Sequence, residues 1–238
     1  MKKYFFAFFA TMIFFTSCET IGKINIPTTM PNVLTEADVS NGLKEALKVG
    51  VKQSVTMLGQ TDGFLNNPLF KIPFPEEAIR AKEKLEQLGM SNLVNNFITT
   101  MNHAAENAVS KATPIFLDAI TSMTITDAVN ILRGDKNAAT EYFKAKTSAS
   151  LNALFKPEIN NALNNVNATK YWTDITSTYN KIPFVNPVQT DLSQYVTDKA
   201  MSALFTQIAS EENKIRTDPA ARINDILKRV FDPNAIVQ

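Results

Sequence analysis

Apolar residues recur every three to four positions along most of the chain after residue 34, which is the spacing of amphipathic helices. The first stripe consists of Val39, Leu43, Leu47, Val51 and Val55. Thr35 and Asp38 stand at the spacing of a capping box just before this stripe, and Gly59 follows it. The pattern therefore predicts a long first helix that begins after Thr35 and ends near Gly59.

Proline, glycine and capping residues divide the rest of the chain into further predicted helices. The expected starts are Pro75, Ser91, Thr124, about Asn137, Lys170, Asp191 or Thr190, and Asp218-Pro219. The expected stops include Gly89, Pro114, Gly134 and Tyr179. We also expect Pro157 to interrupt the segment from about 137 to 166, because an internal proline removes a backbone hydrogen bond.

Two Pro/Asn-rich segments, GQTDGFLNNPLFKIPFP at 59–75 and NKIPFVNPVQT at 180–190, lack helical periodicity. Loops of this length are uncommon in compact domains unless they serve a function. No run of alternating apolar and polar residues indicates a strand. The sequence thus predicts an all-α fold, a single compact domain of eight or nine helices with two long irregular loops.

The first eighteen residues have the pattern of an export signal. Lys2 and Lys3 precede an apolar stretch, Tyr4 to Phe15, that is too short to span a bilayer. Phe15-Thr16-Ser17-Cys18 resembles the lipobox of bacterial lipoproteins, which implies lipid attachment to Cys18. The other interpretation is an ordinary secretory signal with an incidental cysteine.

The predicted organisation follows from that signal. Residues 1–17 are the lipoprotein signal peptide, 18–34 the lipidated cysteine with a flexible tether, 35–231 the helical domain, and 232–238 a C-terminal tail. The expected location is the bacterial cell envelope, on the periplasmic face of the outer membrane. With Cys18 as the single cysteine, no intramolecular disulfide can form, so the fold must depend on its core.

Charge gives little indication of a partner. The chain has 24 basic and 23 acidic residues, and removal of Lys2 and Lys3 with the signal leaves 22 basic residues and a formal charge of −1. This balance provides no extended field of one sign, which argues against binding to nucleic acid. The expected partners are the membrane, through Cys18, and an envelope protein or a lipid.

Three segments are similar to an uncharacterised family of bacterial envelope proteins. They are LGQTDGFLNNPLFKIPFPE at 58–76, the stretch from Met101 to Thr147, and YVTDKAMSALFTQIASEENKIRTDP at 195–219. The resemblance extends over about 34–231 and implies an all-helical domain without an assigned activity, ligand or catalytic residue. One departure is His103, where the family more often has arginine.

Catalytic chemistry has few candidates in this sequence. His103 is the single histidine, and Glu106 lies one helical turn later, so the two could share a proton or form an ion pair. A multi-histidine metal site is excluded, and no nucleophile elbow, phosphate loop or paired-cysteine motif is present. We therefore expect no catalytic residues, no cofactor and no metal, and favour an ion pair for His103.

Two other groups of residues are candidates for a structural or binding role. Lys199, Asp198, Glu212 and Arg216 are candidate buried ion pairs on the predicted helix after residue 191. The aromatic candidates in and beside the two loops are Phe64, Phe70, Phe74, Trp172, Tyr179 and Phe184. These rings either close the ends of the helical core or line a groove for an acyl chain or a partner helix.

The function predicted from these features is non-catalytic. We expect a membrane-anchored scaffold or binding module, with a carrier of a lipid or small apolar ligand as the alternative. An enzyme that uses carboxylate chemistry is a more remote alternative. A pocket beside the aromatic loops would favour the carrier, and converging carboxylates in a polar cleft would favour the enzyme.

Overall fold

The computed structural model describes residues 33–165, 167–180, 191–222, 224–232 and 234–237. Within these ranges the chain forms nine α-helices, two 3-10 turns and one pair of two-residue strands. The compact unit comprises Pro31–Gln238. The predicted all-α single domain is therefore confirmed.

The helices have the following bounds. They are α1 Glu36–Gly59, α2 Ile79–Gln87, α3 Ser91–Ser110, α4 Thr113–Thr121, α5 Ile125–Arg133, α6 Ala138–Asn164, α7 Ala168–Tyr179, α8 Leu192–Thr217 and α9 Asp225–Val230. The 3-10 turns are Glu76–Ala78 and Pro219–Ala221, and the strands are β1 Val33–Leu34 and β2 Ile236–Val237.

Four long helices enclose the main core. Helices α1 and α6 each pack against both α3 and α8, and α3 also contacts α8. Helix α7 packs against α6 and α8, whereas α4, α5 and α9 pack against α1. Helix α2 contacts α3 and the 3-10 turn before it. This arrangement leaves the α2 side of α3 less covered than the side that faces the other long helices.

Two capping boxes begin α1 and α5 as the sequence predicts. The hydroxyls of Thr35 and Thr124 accept the backbone N–H of Asp38 and Asp127, and each carboxylate accepts the N–H of its threonine. The hydrogen bonds from the threonine side chain and backbone hold the pKa of both aspartates below the usual value. These local contacts explain why both helix starts can be predicted from four-residue motifs.

Pro157 does not interrupt α6, so that prediction is wrong. The helix is continuous from Ala138 to Asn164, and Pro157 lies on its exposed side. Every fourth residue is buried on both sides of the proline: Phe143, Thr147, Leu151, Phe155, Ile159 and Leu163. Packing of this stripe outweighs the local cost of about 3 kcal/mol for an internal proline.

Two predicted helix starts also differ from the structure. Ser91 is the first residue of α3 rather than its cap, and Met90 occupies the cap position without a side-chain hydrogen bond. Asp218 caps the second 3-10 turn, and α9 begins after Asn224, whose side chain accepts the N–H of Leu227. The first difference is a shift of one residue, whereas the second is an extra 3-10 turn that helical periodicity does not reveal.

The ends of the domain are paired. Val33 and Leu34, predicted as the end of the tether, align in parallel with Ile236 and Val237 in the predicted tail. Leu34 is fully buried, in a small cluster with Val39, Val129 and Val230. A two-residue strand is too short to produce an alternating pattern, so the sequence gives no indication of this pairing.

The first predicted loop is ordered and packs against the core. Phe64, Phe70, Ile72 and Phe74 are buried, whereas Leu69 is exposed. The second predicted loop falls on 181–190, outside the described residues.

No single helix among the described residues has both the length and the apolarity to cross a bilayer. The segments Ser91–Thr121 and Ile125–Arg133 meet the criteria of length and composition only when taken together, and they are bent by 104°.

Candidate functional site

An apolar groove of about 430 Å³ lies between α3, α7, α2 and the end of the first loop. Its lining residues are Phe74, Leu85, Leu93, Val94, Asn96, Phe97, Thr99, Thr100, Ala168 and Trp172. None of them is charged, and the polar ones carry only amide or hydroxyl groups. A volume in this range is typical of pockets that hold small molecules, which occupy about 300–1,000 Å³.

Three aromatic rings form one wall of the groove. The ring centroids are 5.2 Å apart for Phe74 and Phe97, 5.8 Å for Phe74 and Trp172, and 5.9 Å for Phe97 and Trp172. Trp172 is the only tryptophan in the chain and is 2% exposed. Because its neighbours hold the indole in place, the wall is preformed, and the indole provides a single fluorescent reporter of the groove.

Helix α3 positions Phe74 through the backbone of the preceding residues. The Asn102 side chain accepts the N–H of Ile72 at 2.8 Å and donates to the Ile72 carbonyl at 2.9 Å. The Tyr195 hydroxyl donates to the carbonyl of Pro73 at 3.3 Å. These contacts hold the backbone of the two residues just before Phe74, so Phe74 enters the groove from an anchored backbone.

Glu106 anchors the other end of the same loop. Its carboxylate accepts the N–H groups of Asp62 at 3.1 Å, Phe64 at 3.0 Å and Leu65 at 3.2 Å. Asp62 has a φ of 62°, a left-handed conformation that non-glycine residues rarely adopt. The buried carboxylate thus stabilises a turn that would otherwise bury unpaired N–H groups.

His103 lies beside this anchor on the solvent side. Its Nε2 atom is 3.2 Å from Asp62 Oδ1 and 3.9 Å from Glu106 Oε2. By type, these three side chains could ligate a cation, since their ligand atoms lie within 4.8 Å of one another. Both Glu106 oxygens already accept backbone N–H bonds, however, so the cluster is accounted for as the cap of a turn.

Comparison with known protein families places this chain in a family. The profile of the protein family of unknown function DUF4197 matches residues 33–232. The chain belongs to this family. No curated protein and no solved structure matches it. The predicted membership of an uncharacterised family is confirmed, while lipid attachment in the envelope stays a prediction.

The DUF4197 match includes every residue that lines the groove, but the groove contains only part of the predicted aromatic set. Phe74 and Trp172 line it, whereas Phe64 and Phe70 are buried in the main core and do not. Phe184 lies outside the described residues, and the side-chain position of Tyr179 is likewise not described. For Phe64 and Phe70 the other alternative holds: both rings belong to the main core and neither lines the groove.

The sequence does not distinguish several groove residues of this DUF4197 chain from residues of the core. Phe97 belongs to the apolar stripe of α3, and Leu85 precedes the α2 stop, so both have the pattern of ordinary core residues. Leu93 is 47% exposed although it lies in the same turn as buried Val94. The sequence signal that could indicate a groove is the wide apolar face of α3, which includes Leu93, Val94, Phe97, Ile98 and Met101.

Of the four candidate residues for buried ion pairs, two form such a pair and two do not. Arg216 Nη2 donates to Glu212 Oε1 at 2.9 Å, and the Glu212 side chain is buried. Asp198 and Lys199 are both exposed, so the prediction that each takes part in a buried ion pair is wrong. Asp198 accepts a hydrogen bond from Gln194, and the Lys199 ammonium lies 5.6 Å from the centre of the Tyr195 ring.

The remaining titratable groups with displaced pKa values do not line the groove. Partial burial alone would raise the pKa of Asp191. The Lys156 ammonium, with Nζ 2.7 Å from Asp191 Oδ2, and the hydrogen bond from the Gln194 N–H outweigh this effect and lower the pKa. Burial raises the pKa of the Tyr142 phenol. The described groove therefore offers apolar contact and neutral hydrogen bonds rather than acid–base chemistry.

Proposed function

We propose that this DUF4197 protein is a non-catalytic binding module that holds the apolar chain of a lipid-type ligand in the α2–α3–α7 groove. The supporting observation is the preformed aromatic wall beside an open apolar volume of about 430 Å³. An apolar chain would contact Phe74, Phe97 and Trp172 along its length. Burial of each CH₂ group from water contributes about 0.8 kcal/mol.

The lining also limits the polar end of the ligand. Asn96, Thr99 and Thr100 are the polar lining residues, and none of them can neutralise a charged head group. A free carboxylate or phosphate would lose hydration without gaining an ion pair at these positions. We therefore propose a ligand with an uncharged polar end, such as an acyl ester or an acylglycerol.

Trp172 gives a direct binding test. A chain of residues 31–238, the compact unit, should show saturable quenching of its tryptophan emission by an uncharged ester of a dibrominated acyl chain, because bromine quenches on contact. The unbrominated ester should compete with it. Absence of saturable quenching would remove the binding function and leave a scaffold without a ligand as the remaining candidate.

A matched pair of variants locates this binding. Thr99→Phe adds a ring to the groove from its partly exposed edge and should weaken binding about tenfold, which corresponds to ~1.4 kcal/mol. Thr206→Phe makes the same change at an exposed position of α8 and should leave the affinity unchanged. Equal weakening by both variants would show that the quenching does not report the groove.

We further propose that a lipid on Cys18 anchors this module to a membrane in the bacterial envelope. The support is the sequence pattern of a short positive region, an apolar stretch and a cysteine at its end. Stable anchoring requires at least two acyl chains, since a single chain gives marginal and reversible binding.

Replacement of Cys18 by serine tests the anchor. In cells that express the full chain, Cys18→Ser should move the protein from the membrane fraction to the soluble periplasmic fraction. Labelling with radioactive palmitate should mark the native chain and not the variant. Retention of an unlabelled Cys18→Ser protein in the membrane fraction would contradict the proposed anchor.

A further inference from the structure

The corner between α2 and α3 is a rigid turn. Gly89 has a φ of 79°, its N–H donates to the Glu86 carbonyl, and the N–H of Met90 donates to the Leu85 carbonyl. This pair of hydrogen bonds is a Schellman motif, which ends α2 sharply. Met90 then accepts the N–H groups of Leu93 and Val94, so α3 begins without an intervening flexible segment.

This rigid turn exposes a group of apolar side chains. Leu88 is 64% exposed, Met90 41% and Leu93 47%. Single exposed apolar residues are common on protein surfaces, but three within six positions form a patch. We call residues 88–93 the apolar corner.

The apolar corner is continuous with the groove. Leu93 belongs to both, because its side chain lines the groove and remains almost half exposed. Leu85, which lies on α2 three residues before Leu88, also lines the groove. An apolar chain could therefore pass from the corner into the groove along apolar side chains.

The chain carries no charged side chain from the corner into the first part of α3, whereas α2 before it carries the Lys82–Glu86 ion pair. No Asp, Glu, Lys or Arg occurs among the sixteen residues 87–102, which contain the corner and the groove-lining part of α3. A surface without ionic groups can approach an apolar phase without the large cost of desolvating an ion. The polar residues in this stretch are Asn, Gln, Ser and Thr, which can hydrogen-bond at a lipid interface.

Chain length places a bilayer within reach. Val33, where the described domain begins, lies fifteen residues after Cys18. An extended chain covers at most about 3.3–3.6 Å per residue, so the lipid proposed on Cys18 would keep Val33 within about 50 Å of the bilayer. The surface that the domain meets most often is then the membrane that anchors it.

We propose that the apolar corner inserts into the interface of a phospholipid bilayer and places the groove against it, so that an acyl chain can move between the bilayer and the groove. This inference rests on the proposed function of the groove. Insertion of Leu88, Met90 and Leu93 removes their exposed area from water. Because the inserted side chains carry no charge, we expect the binding to be insensitive to salt.

Flotation with neutral vesicles tests the proposal. Residues 31–238, which lack Cys18, should float with vesicles of phosphatidylcholine in both 0.1 M and about 0.5 M salt, conditions that differ strongly in screening. The double variant Leu88→Asp/Met90→Asp should bind at least tenfold more weakly. The control variant Met57→Asp/Leu117→Asp, at side chains that are 40% and 38% exposed on α1 and α4, should float like the native chain.

Other results would overturn the proposal. They are failure of the native chain to float, equal flotation of the two double variants, or flotation that disappears in high salt and so depends on charge. A self-association that sedimentation detects and that only Leu88→Asp/Met90→Asp abolishes would assign the corner to a second copy of the chain.

Trp172 quenching separates this proposal from the proposed function. The variant Leu88→Asp/Met90→Asp leaves the groove lining intact and should retain quenching by the brominated ester added without vesicles. Quenching without flotation overturns the membrane contact and leaves the groove function standing. Flotation without quenching overturns the groove function and, with it, the transfer of an acyl chain.

Discussion

Replacement of Glu212 by alanine should lower the free energy of unfolding by about 3–5 kcal/mol, the range measured when one partner of a buried ion pair is removed. Glu212 lies on α8 and is buried, with Arg216 one turn later as its partner. The variant leaves the guanidinium in place and removes its counter-charge. Chemical denaturation of residues 31–238 at neutral pH measures the difference.

The size of this effect follows from the helix ends that the pair connects. Glu212 accepts the N–H groups of Ala139 at 3.0 Å and Thr140 at 2.9 Å, and it also accepts the Thr140 hydroxyl at 2.8 Å. It therefore caps the N-terminus of α6, whose preceding residue Asn137 makes no side-chain cap. A carboxylate at this position also interacts favourably with the positive end of the helix dipole.

Arg216 completes the connection at the end of α5. Its Nη2 atom donates to the Ile131 carbonyl at 2.7 Å, and its Nη1 atom donates to the Leu132 carbonyl at 3.2 Å. A single side-chain pair on α8 thus satisfies carbonyls at the end of α5 and N–H groups at the start of α6. Removal of Glu212 leaves buried N–H donors without an acceptor as well as an unpaired cation.

Two controls distinguish this role from a general effect of charge. Glu141→Ala removes an exposed carboxylate in the first turn of α6 that pairs with Lys144, and it should cost less than about 1 kcal/mol. Arg216→Met should cost less in a Glu212→Leu background than in the native chain, because both charges are then absent. A loss below about 1 kcal/mol for Glu212→Ala would contradict the assigned role.

The ion pair of Glu212 and Arg216 could be predicted from the sequence only in part. Glu212 and Arg216 are one turn apart, so their pairing follows from helical spacing. Their contacts with α5 and α6 lie more than seventy residues away in sequence and have no local signature. Burial of this pair could be proposed from the sequence, but its partners could not.

Lys199 illustrates an ambiguity of helical periodicity. Tyr195, Lys199 and Ala203 are four residues apart and so lie along one side of the helix, which makes Lys199 a candidate for burial. The buried stripe of α8 instead includes Leu192, Val196, Ala200 and Leu204, also in steps of four. Adjacent stripes differ by 100° on a helix, and the positions of the helices packed against α8, chiefly α6, α1 and α3, decide which stripe faces the core.

The groove was predictable only in part for a related reason. Phe74 and Trp172 are recognisable as groove candidates because they are large aromatic residues in or beside an irregular segment. Phe97 and Leu85 fit the apolar stripe of a helix, and a groove wall has the same periodicity as a core-facing surface. The difference is that, within the described ranges, no element covers this part of α3, and this depends on how α2 and α7 are placed against it.

Replacement of Glu106 by alanine should lower the free energy of unfolding by about 3 kcal/mol. Three backbone N–H groups lose their charged acceptor, and each such loss costs about 1–3 kcal/mol when the N–H group is buried. Only Phe64 of the three N–H donors is fully buried, so the lower part of that range applies to Asp62 and Leu65. The same variant should weaken quenching of Trp172 by the brominated ester, since the loop that Glu106 anchors ends at the groove residue Phe74. Denaturation and the fluorescence titration measure the two effects.

His103→Gln is the matched control for this prediction, because it changes the neighbouring side chain and leaves every N–H bond of Glu106 in place. It should alter the free energy of unfolding by less than about 1 kcal/mol, as expected for an exposed pair. Hydrogen exchange gives a residue-level test: the Phe64 amide should lose protection in Glu106→Ala and keep it in His103→Gln, while amides in the middle of α6 change only with global stability. Unchanged protection of the Phe64 amide in Glu106→Ala would show that packing of its ring, rather than the carboxylate, holds the loop against α3.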